Sequence, residues 1–361
     1  MSNPALLERM QAAGAAWGDV RGMSMAVDFG DAEGEYAAGS AGAGLYAPLD
    51  RGLIEVRGRD RAAWLHNLTT NAIKTLQPGD GNYTFAVNVK GRVLMDFNVL
   101  VATDALRLDI DRRLIAKALA HFERFTISED VQCRDRSDEF ARIALLGPRA
   151  VEIAAALGVT QAGAMPALAS VPLSSGGGHE WLVRHDFAGV FGVELHVASA
   201  AAAAWWERLL EIGRPAGLWP VGWKAVDTLR IEAGIPQYGR DIDEEVLPAE
   251  TGQIERAVSF VKGCYLGQEV VERMRSRGGP ARVLVGIRFA GDRTAQEVAA
   301  GPLLADGGEV GRLTSACPSP ALNAWIGLGY LRTALARPGT RVALAGRPDR
   351  AGEVVTLPFR T

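Results

Sequence analysis

The chain has 361 residues, 48% of them apolar, with 39 basic and 42 acidic side chains and a formal net charge of −3. Single cores stop growing at roughly 250–300 residues, so this length predicts two or three domains. A near-neutral balance without a long basic block argues against an electrostatic grip on nucleic-acid phosphates or an anionic membrane, and leaves small molecules or proteins as the expected partners. Cys133, Cys264 and Cys317 are odd in number and show no C-x-x-C spacing, which excludes a disulfide framework and a self-contained four-cysteine zinc site. The first 23 residues lack a basic start followed by an apolar stretch, so a cytoplasmic location is expected, and no apolar run approaches the ~18 residues of a membrane span.

Residues 52–58 alternate apolar and polar, which predicts a half-buried strand, and 59–67 read as a short helix. Residues 82–89 and 92–101 are rich in Val, Phe, Tyr and Leu and flank Lys90-Gly91, the pattern of a hairpin. A third strand at 106–110 follows. Leu114, Ile115, Ala118, Leu119, Phe122 and Phe125 then recur at helical spacing, giving an amphipathic helix over 112–125. A second unit repeats the scheme: strand 140–146, helix 148–157, a Gly/Ser connector at 174–178, a hairpin of 180–185 with 190–197, and a helix over 200–212, where Trp205 and Trp206 are read as packing residues. Residues 223–233 form a further helix, stopped by Gly234 and Pro236.

Regularity then fails. Residues 240–255 hold six acids and one base, and 262–282 hold five bases and two acids. Long irregular stretches inside compact proteins carry function or are disordered, and the apolar residues here favour order. From 281 onward several short strands separated by Gly, Pro and Asp predict a small all-β barrel or sandwich.

The densest chemistry lies at 262–269, KGCYLGQE. Its glycines let the backbone approach a ligand, and Lys262, two positions before Cys264, favours the thiolate. A buried, inert cysteine in a glycine-punctuated turn is the competing reading, because free cysteine is among the most buried residue types. The five histidines show no H-x-x-x-H spacing, and the chain has neither a G-x-G-x-x-G after a strand nor a Walker A loop. A metal site, nicotinamide chemistry and nucleotide-triphosphate chemistry are therefore not expected. Arg273, Arg275, Arg277 and Arg282 make a cationic run that reads as a solvated surface or as an attraction for an anion.

KGCYLGQE resembles the signature of the YgfZ-type folate-binding proteins, the branch of the glycine-cleavage T-protein (aminomethyltransferase) superfamily implicated in iron–sulfur cluster assembly or repair. DTLRIEAGIP at 227–236, Tyr238-Gly239, Leu247-Pro248 with Glu250, GRLTS at 311–315, Ser319-Pro320 and Leu357-Pro358-Phe359 are similar to T-protein segments, so the resemblance covers nearly the whole chain. It implies an α+β fold: a three-domain ring of two α/β sheet-plus-helix domains (1–51 with 139–243; 52–138 with 244–279, carrying the octapeptide) and a C-terminal β-barrel (280–361). It also implies a central cavity for tetrahydrofolate or a one-carbon derivative, with no stably bound metal.

Residue by residue, the resemblance places Asp96, in GRVLMD at 91–96, at the T-protein catalytic aspartate, and Tyr83 at a folate-site tyrosine. Across a hairpin turning at Lys90-Gly91 the two fall near one another. From the residues alone, Asp96 also reads as a solvent-facing strand residue. Glu194 matches the pterin-binding glutamate, and a carboxylate suits the two parallel N–H donors of a 2-amino-pyrimidinone edge; a rim glutamate on an edge strand is the plainer alternative. Arg230 is assigned to the folate glutamate tail or to another partner, since Glu232, two residues on, does not face it on a helix. Met95 stands where T-proteins usually carry a second acid and Val226 where they often carry arginine, which weighs against aminomethyl transfer. The expected function is a folate-binding accessory protein for cluster assembly or repair, acting through Cys264 with Lys262, with iron–sulfur client or assembly proteins as partners. The alternative is a folate-dependent aminomethyl- or methyltransferase with Asp96 as acid/base.

Overall fold

The computed structural model describes residues 3–173, 180–276, 278–294 and 297–360; the expected connector at 174–178 and Arg277 lie outside them. Two compact units emerge, neither continuous in sequence: Met1–Thr84 with Asp96–Val226, and Phe85–Met95 with Asp227–Thr361.

The first unit holds two sheets. In one the strand order is Ser170–Pro172, Trp181–Arg184, Gly192–Ala198, Phe140–Leu146, Gly44–Tyr46 and Trp219–Pro220. The other runs Gly81–Val87, Val93–Val101, Leu106–Asp111, Arg51–Arg57 and Gln132–Asp135, and the chain leaves and re-enters the unit within its first two strands. The expected amphipathic helix forms as Ile115–Arg124 behind a 3-10 turn at Arg112–Leu114, and buries Ile115, Ala118 and Phe122. Helix Ala202–Gly213 packs Trp206 and Leu209 into a core that also contains Leu45, Ile143, Leu145 and Leu195. Each such side chain contributes about 1.5–3 kcal/mol on burial.

Residues 3–46, too short in their runs to show a period, nonetheless fold as helix Pro4–Ala12, the hairpin Ala16–Val20 with Met23–Asp28, and helix Ala32–Ala41. Both helices start on a side-chain cap: Asn3 accepts from the Leu6 N–H and Asp31 from the Gly34 N–H.

The second unit contains the hairpin tip and the barrel. Gly91 takes φ +72° in the turn, and the Asn88 carboxamide oxygen accepts from the N–H groups of Lys90 and Arg92 at 2.9 and 3.1 Å. The segment expected to be irregular is mostly so, but helix Gln268–Ser276 interrupts it. Polar and charged residues make up most of that helix and only Val271 is buried, so the sequence carries too weak an apolar stripe to reveal it. The C-terminal strands close into a six-stranded barrel in the order Arg282–Phe289, Ala324–Arg332, Gly308–Ser319, Gly301–Ala305, Arg341–Leu344, Arg347–Val355. Closure settles barrel over sandwich; the strand Gly301–Ala305 had no counterpart in the sequence reading. Ile287, Leu303, Leu313, Leu331 and Val354 fill the interior. Among the described residues, no helix is long and apolar enough to cross a membrane.

Candidate functional site

Tyr83 and Asp96 lie on the two strands of the first hairpin, and the structure brings them together: the Tyr83 hydroxyl is 2.7 Å from Asp96 Oδ2. Tyr83 is buried and Asp96 half-buried, so Asp96 is not the solvent-facing residue of the plainer reading. Strand alternation sends Met95 the other way, into full burial. A phenol donating to a carboxylate at this distance stabilises the ionised form and fixes its orientation.

Glu194 is 4% exposed, on the central strand Gly192–Ala198, and is no rim residue. Its Oε1 is 3.0 Å from His185 Nδ1, and its Oε2 is 3.4 Å from His196 Nε2. Burial works to raise its pKa, but His185, His196 and Arg142 together hold it well below the usual carboxylate range. His196 is 1% exposed; its Nδ1 has no hydrogen-bond partner, and its Nε2 has only the 3.4 Å approach to Glu194. Burial first, and then Arg142, push its pKa down to about 4, so the ring is neutral at pH 7.

Next to Glu194 stands a residue that the sequence reading passed over. Asp109, 2% exposed, accepts from Asn98 at 2.8 Å and from Arg51 Nε at 2.8 Å, and pairs with the Arg142 guanidinium. Burial opposes its ionisation, yet Arg142 and Arg51 hold its pKa at about 2. Arg51 is itself held above its ordinary value, against burial, by Asp109, Asp50, Asp96 and Asp111. Arg51 thus links the field of the Tyr83–Asp96 pair to that of the Asp109–Glu194 cluster, all within the first unit.

Asp109, His185 and Glu194 offer ligand atoms within 4.8 Å of one another. Two guanidinium groups already compensate Asp109, so a cation would have to displace or repel them.

In the second unit, Cys264 is exposed, unlike the half-buried Cys133 and the buried Cys317. The inert-cysteine reading therefore fits Cys317, whose thiol burial pushes up, and Cys133, raised by burial to about 11. Lys262 Nζ lies 4.8 Å from the centroid of the Tyr265 ring, and burial lowers its pKa to about 7. Gly267 has φ +78°, and a Cβ there would come 2.3 Å from the Asn88 carbonyl oxygen. Only glycine lets this segment lie against the hairpin tip.

Arg230 is 6% exposed and fully engaged inside the second unit. Nε is 2.8 Å from Asp227 Oδ1, one terminal nitrogen is 2.5 Å from Asp241 Oδ2, and the other is 2.8 Å from the Ser315 hydroxyl. Of the two assignments open for it, the structure supplies the protein partner. Glu232 instead accepts from Ser319 and pairs with Arg360 at 3.1 Å.

Two family models match the chain: the GCVT N-terminal domain over residues 6–262 and the glycine cleavage T-protein C-terminal barrel domain over 282–360. It is 32% identical to an aminomethyltransferase of Streptomyces coelicolor, covering 97% of this chain and 95% of the relative. An aminomethyltransferase of Rubrobacter xylanophilus is also 32% identical, over 98% of this chain and 93% of the relative. The crystal structure of the glycine cleavage system aminomethyltransferase T from Bartonella henselae superposes with a TM-score of 0.87 at 24% identity, over 98% of this chain and 97% of that one. With both the sheet-bearing part and the closing barrel matched, the chain belongs to the glycine-cleavage T-protein family.

Proposed function

We propose that this protein is a tetrahydrofolate-dependent transferase of aminomethyl or related one-carbon units, with Asp96 as acid/base. The observation that carries this reading is the 2.7 Å hydrogen bond from the Tyr83 hydroxyl to Asp96; the names of the relatives support it.

The residues of the first unit suit a pteridine. Glu194 is ionised and buried, and a carboxylate with one oxygen on His185 keeps lone pairs for the N–H donors of the ring edge. The unpartnered Nδ1 of His196 beside it leaves polar capacity unused. Tetrahydrofolate supplies the one-carbon chemistry through its ring and bridging nitrogens. Tyr83 fixes the Asp96 carboxylate, and Asp96 takes or returns a proton at a folate nitrogen, a role worth roughly 10²–10⁴ in rate. Asp109, Arg142 and Arg51 hold the charges of the cluster in place.

Titration calorimetry with tetrahydrofolate should show binding that weakens about tenfold or more in Glu194→Gln, the loss expected of a charge-assisted hydrogen bond. Asp96→Asn should keep that affinity and lose transfer. Unchanged transfer in Asp96→Asn overturns the mechanism.

A second reading is favoured by one observation, the exposed thiol of Cys264 inside KGCYLGQE. In it the chain is a YgfZ-type folate-binding protein that assists iron–sulfur cluster assembly or repair, with Lys262 beside the reactive sulfur. Cys264→Ala would then lower the activity of cluster enzymes in cells while Asp96→Asn leaves it intact. The opposite pattern supports the transferase. Arg230 as a ligand of the folate tail, by contrast, would need its ion pairs with Asp227 and Asp241 to open.

A further inference from the structure

The outer face of the barrel carries a hollow of about 360 Å³ lined by Arg282, Arg312, Arg332, Tyr330, Glu309 and Gly311 among others. Strand register explains the grouping: Arg282 pairs with Arg332, and Arg312 pairs with Tyr330. On β-strands, directly opposed and i, i+2 residues share one face, so three guanidinium groups and a phenol converge there, while Leu313 and Leu331 point to the core. A β-bulge sits at the rim, where Leu303 opposes Gly311 and Leu304 opposes Glu309, leaving Val310 as the extra residue. Such bulges re-aim side chains and recur beside functional sites.

Like charges on one face repel unless something neutralises them. Arg282 has its counter-charge in Glu250 at 3.2 Å. Arg312 and Arg332 are exposed and have no ion-pair partner among the described residues. Tyr330 is 4% exposed, and its hydroxyl has no hydrogen-bond partner. Leaving such a group unsatisfied is costly, so the phenol has a hydrogen bond to give.

We propose that this hollow is an anion site, taking a ligand that presents a doubly charged oxyanion group, a phosphate monoester or paired carboxylates, between Arg312 and Arg332 with Tyr330 as an added donor. Planar guanidinium groups recognise both chemistries by paired N–H donors. The site is independent of the folate reading, because it uses none of the residues assigned to folate.

The test is titration of the full chain with inorganic phosphate and, in parallel, with malonate. Saturable binding with a Kd near or below ~1 mM is expected for at least one of them; the tighter of the two identifies the ligand class. Arg312→Gln with Arg332→Gln should weaken it about tenfold or more, and Tyr330→Phe by a smaller factor. Glu309→Gln, a change on the exposed rim that leaves every donor in place, should tighten it. Absence of saturation with both probes overturns the proposal, as does an affinity unchanged in both the double arginine variant and Glu309→Gln.

Discussion

The first unit's charge cluster and the second unit's thiol segment place their chemistry in opposite surroundings. Asp109, Glu194, His196 and Arg142 are all at least nine-tenths buried, and three of the four have ionic or hydrogen-bonded partners at short range. Cys264 is exposed, three residues after Val261, which is 98% exposed, and the helix that follows, Gln268–Ser276, buries little. A buried, compensated network fixes geometry and tolerates little change, whereas an exposed thiol is open to a large partner and is nearly decoupled from stability.

Substitutions should separate the two. Arg142→Met strips the buried Asp109 of one guanidinium, and urea unfolding should show a loss of about 3–5 kcal/mol; a loss under 1 kcal/mol would mean that Arg51 and Asn98 suffice. Acid should strike the same cluster. The His196 pKa is about 4 in the folded chain against an ordinary 6.5, so between those values the unfolded chain binds more protons. Stability is full above pH 6.5 and falls by on the order of 3 kcal/mol as the pH drops to 4. Glu194, also lowered on folding, adds to the loss in acid. Unfolding curves across this range, repeated on His196→Gln, should show the slope flattening in the variant.

Tyr83→Phe removes one hydrogen bond to a charged group and should cost about 1.5–3 kcal/mol at most in urea unfolding. Cys264→Ala, at the far end of the scale, should move stability by less than about 0.5 kcal/mol. Iodoacetamide with mass mapping sharpens that contrast: Cys264 should label in the native protein while Cys317 labels only on unfolding. Labelling of Cys317 first would reverse the picture of which thiol is accessible.

The hairpin was legible because two β-rich runs flank a glycine turn, and its legibility brought Tyr83 to Asp96. Glu194 and Cys264 were found through local strings. Asp109, Arg142, Arg51 and His185 were not, since no local motif marks them, and their partners lie 9 to 58 positions away in the chain. Only the closing of two sheets makes them a cluster. Helix Gln268–Ser276 escaped for a related reason: six of its nine residues are polar or charged, so only a weak stripe marks its buried face.

The second unit needs the hairpin tip, residues 85–95, to accept Val246 and Gly267, through the Val93 N–H to Val246 oxygen bond of 2.9 Å and the glycine contact at Asn88. Those partners follow more than 130 residues later in the sequence. On a ribosome working at roughly 5–20 residues per second, the tip waits on the order of ten seconds before it can be enclosed. During that interval Val89, still 71% exposed in the finished protein, stands beside strand ends with nothing to cover them. A fragment beginning at Asp227 would carry the barrel without its tip, so the barrel's autonomy has to be judged on a chain that supplies both pieces.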